Sequence, residues 1–143
     1  MMTVPLVLYR SVVDSLLTYA QMAYPREGIL LLRGHVESQQ IAIREVVIPP
    51  RAVHGLGFAN FSPLHLPLDR TILGTAHSHP SGILRPSLSD LNHYYGRIMV
   101  ITAYPYHSQH HVAAFNRTGD LVPYTVKEDT NAFGGENGTY TWT

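Results

Sequence analysis

Apolar positions along the chain change period several times, and each change marks an element. Val12, Val13, Leu16, Leu17, Ala20 and Tyr24 fall on one stripe at helical spacing, and Pro25 stands at its end. This spacing predicts a first helix from about Arg10 to about Tyr24, preceded by a short strand within the N-terminal residues up to Leu8. Ile29 to Arg33 and Ile41 to Ile48 are dense in β-branched and aliphatic residues and predict strands, with Gly34 to Gln40 as the polar turn between them. Pro49 to Leu68 reads as a Pro/Gly-rich connection that includes a candidate strand at 56–61. Ile72 to His77 is the next strand, and Ser87 to about Tyr95 a second helix closed by Gly96. Ile98 to Ala103, His111 to Asn116 and Leu121 to Val126 are the last strands. Helices scattered among strands imply an α/β (α+β) domain: a mixed sheet flanked by helices, without internal repeats.

At 143 residues the chain fits one domain with a real core, and 45% apolar against 14% charged residues is a globular balance. We assign residues 1–127 to the domain. Residues 128–143 turn to Gly, Thr and Asn and are expected to be a flexible tail. Ten acidic residues balance ten basic ones, so nothing points to nucleic acid or an anionic membrane as a partner. There is no cysteine, which excludes disulfides and thiolate metal sites. The N-terminus lacks a basic signal-peptide region, and no apolar run is long enough to span a bilayer, so a cytoplasmic protein is expected.

Candidate chemistry concentrates in residues 77 to 90, His-Ser-His-Pro-Ser-Gly-Ile-Leu-Arg-Pro-Ser-Leu-Ser-Asp. On a strand, His77 and His79 leave the same face, while Ser78 points away and is left a packing or hydrogen-bonding role. Pro80 and Pro86 stiffen the loop leading to Asp90, at the start of the second helix. Two imidazole nitrogens and one carboxylate oxygen suit zinc, and three protein ligands leave the fourth position to water, as in catalytic sites. Each part has a plainer reading. Paired histidines can simply be polar residues at a sheet end in a chain with nine of them. Ser87-x-x-Asp90 is also a good helix-capping sequence.

Taken together, His-x-His, seven residues, Ser, two residues, Asp resembles the signature of the JAMM (MPN-plus) zinc metalloproteases, and the resemblance runs from about residue 5 to about 127. Pro25 to Gly34 is similar to the family's segment in which a glutamate follows the first helix, and 98–106 and 114–120 are similar to later family strands and their turn. The resemblance is greatest to small stand-alone archaeal and bacterial members. It implies an MPN/JAMM-like domain with a mostly antiparallel curved sheet. It also implies one zinc ion per chain held by His77, His79 and Asp90. Glu27 would be the general base and Ser87 a donor to the developing oxyanion. Spacing alone could equally nominate Glu45 as the base.

The implied substrate is a ubiquitin-like or sulfur-carrier protein, cut at an isopeptide or peptide bond after its C-terminus, with its tail lying near residues 56–66. Release of an amino acid from a sulfur carrier, or a non-catalytic MPN scaffold for protein partners, are the alternatives. A homodimer is left open. His54, His65, His93, His107, His110 and His111 lack a comparable constellation. Gly134-Gly135 resembles a diglycine tag end, but a plain glycine-rich tail is the simpler reading.

Overall fold

In a computed structural model, residues 5–49 and 69–129 are described. They run β1 (Leu6–Tyr9), α1 (Arg10–Ala23), β2 (Ile29–Glu37), β3 (Gln40–Val47), β4 (Ile72–His79), α2 (Leu88–Asn92), β5 (Ile98–Ala103), a 3-10 turn (Gln109–His111), β6 (Val112–Phe115), β7 (Leu121–Val122) and β8 (Tyr124–Lys127). The strands form one mixed sheet in the order β7-β6-β5-β4-β2-β3-β1-β8. β1 runs parallel to β3 and β8, and β4 parallel to β5; the other neighbours are antiparallel. The expected α+β sheet flanked by helices is what the chain forms. The candidate strand at 56–61 and most of the expected tail lie outside the described residues.

β7 and β8 stand at opposite ends of the strand order, yet only Pro123 separates them. The sheet is therefore curled until its two edges approach each other. The Tyr124 hydroxyl closes the gap by donating to the Val112 carbonyl at 2.9 Å. This corrects the single strand expected over Leu121–Val126. Proline has no N–H for a ladder, so pairing with β6 stops at Pro123 and the chain crosses to β1.

One sheet face packs on α1. Val12, Val13 and Leu16 of the helix join Leu30, Leu32, Ala76 and Val100 in the main core. The other face carries Met99 and Ile101 against Tyr94, with Leu91 of α2 alongside. Tyr9 offers no side chain to cap α1; Asp129 does so instead, accepting from the Ser11 N–H at 2.8 Å and from its hydroxyl at 2.7 Å. Arg10 pairs with Glu128 alongside. The first two residues assigned to the tail are thus docked on the domain.

Two other boundaries move. The turn between β2 and β3 is only Ser38-Gln39, both at positive φ, because β2 continues through Gly34 at a bulge. A Cβ on Gly34 would collide with the Ala42 carbonyl, so the glycine serves close strand approach rather than a turn. α2 ends at Asn92, short of the expected Tyr95, because Tyr94 turns into the core. Gly96, at φ +80°, then lays its backbone against Leu73 and leads into β5.

Candidate metal centre

β4 is buried along its whole length and is paired on both sides, with β2 and β5. Its parallel partner β5 is reached through α2, so the C-terminal end of β4 and the first turn of α2 meet at the mouth of this crossover. His77, His79 and Asp90 come together there. All three are buried: His77 is 1% exposed, His79 7% and Asp90 2%. Asp90 Oδ2 lies 3.0 Å from His79 Nε2, and Asp90 Oδ1 lies 3.8 Å from His77 Nδ1. Asp90 Oδ1 accepts no hydrogen bond among the described residues.

Tetrahedral zinc with ligands at about 2.0–2.1 Å places donor atoms ~3.3–3.4 Å apart, and the two observed separations bracket that spacing. The donor set fits a zinc ion. It is not a finished cage, since no group of three or more His, Asp or Glu side chains among the described residues is laid out around a common point. Instead a hydrogen bond that an ion would replace ties His79 to Asp90, with His77 at ion-pair distance from the same carboxylate.

Charge follows from this packing. Burial drives His77 down to about 3, against the attraction of Asp90, so it is a neutral imidazole at pH 7 with a lone pair to offer. Burial also pulls on His79, but its hydrogen bonds to Asp90 and the Ile83 carbonyl, with Asp90's charge, raise it overall. Burial pushes Asp90 upward, yet the bonds from His79 and the Ser87 N–H win and keep the carboxylate ionised.

Sequence reasoning named no partners for the histidines' second nitrogens. The structure supplies them: Thr75 Oγ1 lies 2.8 Å from His77 Nε2, and the Ile83 carbonyl accepts from His79 Nδ1 at 2.9 Å. Such bonds fix ring orientation and raise ligand basicity. Thr75 was findable, because i and i−2 on a strand share a face. Ile83 acts through its backbone in a loop and left no signal.

Glu27 lies just ahead of β2. Ile29 pairs with His77 in antiparallel register, and continuing that register by two residues sets Glu27 opposite His79. A clamp holds the position: the Gly28 N–H donates to Ser78 Oγ at 2.7 Å, and the Ser78 N–H donates to the Gly28 carbonyl at 3.0 Å. This is the hydrogen-bonding role left to Ser78. The Glu27 side chain is exposed, and its charge is felt at His79. Glu45 is elsewhere: it pairs with Arg33 at 2.7 Å, toward the far end of β2, about 20 Å along the strand from Glu27.

Ser87 caps α2. Its hydroxyl accepts from the Asp90 N–H at 3.0 Å, and its own N–H donates to Asp90 Oδ2 at 2.8 Å. The cap leaves the hydroxyl a proton to donate, so it is compatible with the oxyanion role that the resemblance implies. His93, at the C-terminal end of α2, is near enough for its charge to act on His77, while His107 and His111 face each other edge to face.

A family profile described as prokaryotic homologs of the JAB domain matches residues 10–118. A probable metalloprotease of Haloferax volcanii is 31% identical over 115 residues, 76% of this chain and 71% of that protein. Among solved structures, a JAB1/MPN domain protein from Archaeoglobus fulgidus is 27% identical, with a TM-score of 0.62 over 90% of this chain and 100% of its own. A JAMM structure described as a metalloprotease-like zinc site in the proteasome and signalosome is also 27% identical, with a TM-score of 0.60 over 89% and 100%. A protein from Desulfitobacterium hafniense, 20% identical with a TM-score of 0.58 over 87% and 94%, shares the fold.

Proposed function

Because the chain belongs to the prokaryotic homologs of the JAB domain, we propose that it is a zinc-dependent peptidase cutting the isopeptide or peptide bond after the C-terminus of a ubiquitin-like or sulfur-carrier protein. The observation that carries this reading is the meeting of two buried histidines and a buried, ionised aspartate at one strand end, with Glu27 in register opposite His79.

His77, His79 and Asp90 would hold the ion, with Thr75 and the Ile83 carbonyl steadying the rings. Bound there, zinc supplies a Lewis acid and brings the pKa of a coordinated water to about 7. Glu27 takes the proton from the attacking water and returns it to the leaving amine. A positioned base of this kind is worth roughly 10²–10⁴ in rate. Ser87, exposed beside Asp90, donates its hydroxyl proton to the oxygen that becomes negative at the scissile carbonyl. Since β4 already has partners on both sides, an extended substrate tail finds no open edge on it. An added strand has to pair elsewhere, and residues 56–66 remain our candidate for that contact.

The test joins metal content to hydrolysis. About one zinc per chain, lost in Asp90→Ala, together with release of lysine from a diglycine–lysine isopeptide, is the expected result. Zinc without hydrolysis of any ubiquitin-like or sulfur-carrier conjugate would leave a metal-binding scaffold. No zinc after reconstitution would reduce Ser87 and Asp90 to a helix cap.

A further inference from the structure

Three tyrosines cluster on the Glu27 side of the site. Tyr24 and Tyr104 stack with ring centroids 4.6 Å apart and planes at 27°, and both meet Tyr106 edge-on at 6.5 and 5.8 Å. Tyr106 is buried beneath them, whereas Tyr24 is 44% and Tyr104 46% exposed. Two large aromatic faces stacked yet half in water are an unusual surface feature, since aromatic residues of this size normally bury more of their area.

Their position is tied to the catalytic residues at two points. Tyr24 is three residues ahead of Glu27, at the end of α1, and the Tyr104 N–H donates to the His79 carbonyl at 3.1 Å. Gln21 of α1 braces Tyr106, its side-chain N–H donating to the Tyr106 carbonyl at 2.7 Å. Glu27, opposite His79 in the register of β2 and β4, and Tyr104, bonded to the His79 carbonyl, thus flank the same end of β4.

We infer that Tyr24 and Tyr104 form a platform for the leaving group, taking the aliphatic stem and amine of a substrate lysine and aiming its nitrogen at Glu27. The inference rests on the peptidase reading above and adds the residues that select the leaving side. Glu27 must lie where the departing amine collects its proton, so the leaving group has to pass over whatever flanks Glu27. A carboxylate beside two exposed aromatic faces is chemistry for a cationic amine on an apolar stem: methylenes lie on the rings, and the ring quadrupole and carboxylate both favour positive charge. A small leaving residue such as glycine gains nothing from these rings.

The experiment uses zinc-loaded protein and two substrates with one acyl part, a peptide ending in Gly-Gly, joined either to the ε-amine of Nα-acetyl-lysine amide or to glycine amide. Alongside it, wild type and a Tyr24→Ala/Tyr104→Ala variant are titrated with Nα-acetyl-lysine amide alone, reading tyrosine ring resonances by NMR. With roughly a 2- to 5-fold loss for each ring, the double variant should lower the lysine-to-glycine ratio of kcat/KM by about fourfold or more, through KM. Tyr24→Phe and Tyr104→Phe, which keep the faces, should restore it. An unchanged ratio in an active, folded variant overturns the platform and leaves the peptidase reading intact. If wild type cleaves neither substrate, the peptidase reading fails and the titration decides. Shifts confined to the three clustered rings, with the Tyr106 shift absent in the double variant, then support the platform; no shift overturns it.

Discussion

Replacing Ser78 by alanine removes one oxygen and tests how Glu27 is held. Ser78 is 5% exposed, and its Oγ accepts the Gly28 N–H at 2.7 Å in a buried setting. Alanine fits the strand, so the main loss is the partner of a buried backbone donor. Leaving such a donor unsatisfied costs about 1–3 kcal/mol. For a domain of this size that is a fall in Tm of about 3–10 °C. The damage should be local, because the Ser78 N–H to Gly28 carbonyl bond survives. Amide hydrogen exchange should accelerate at Gly28 well beyond the global destabilisation, while Leu30 and Leu31 follow the global change alone. Zinc content should hold, since Ser78 faces away from the ligands, and turnover should fall more than zinc content because Glu27 loses its anchor. A Tm within 1 °C of wild type with unchanged Gly28 exchange would refute the clamp.

Glu27→Gln should retain zinc by elemental analysis and lose turnover by about 10²-fold or more; retained turnover would reject Glu27 as the base. Asp129→Ala removes the acceptor for the first turn of α1 and should lower stability by about 1 kcal/mol in denaturant melts, an unchanged midpoint showing that the contact is idle. In metal-free protein, NMR titration should show His77 neutral down to pH 4, because burial lowers it from 6.5 to about 3. Its stabilising contribution is present above about 6.5 and lost as pH falls toward 3, whereas that of His79, raised by Asp90, is lost as pH rises past its folded value. His79→Gln should therefore abolish the loss of Tm above about pH 6.5 and leave the loss toward acid that His77 causes.

Much of this was legible in the chain. The α1 stripe, most strand positions and the grouping of His77, His79 and Asp90 followed from local periodicity and spacing, which is where sequence carries physical information directly. Pro123 was visible too, and reading a strand through it ignored the donor it lacks. Gly34 looked like a turn because glycine is ambiguous between turning and close packing, and only the bulged pairing of β2 with β3 decides which. Glu27 could be chosen over Glu45 by resemblance but not by spacing, because an antiparallel register is a long-range property. The Ile83 carbonyl was unreadable for a different reason: a backbone acceptor is the same atom in every residue.

The meeting of β7 and β8 across Pro123 also sets an order of events in folding. β1 takes two neighbours: β3, close to it in sequence, and β8, where residue 6 pairs with residue 124. The seam at β1–β8 is thus closed last and spans nearly the whole domain, a non-local contact whose loop-closure entropy slows folding. Until then β1 and β3 have nothing from the C-terminal end to lean on, and the start of α1 lacks its Asp129 cap. The strand bearing His77 and His79, by contrast, pairs with β2 and β5, both much nearer in sequence. A nascent chain can therefore bring His77, His79 and Asp90 together before it can close its sheet.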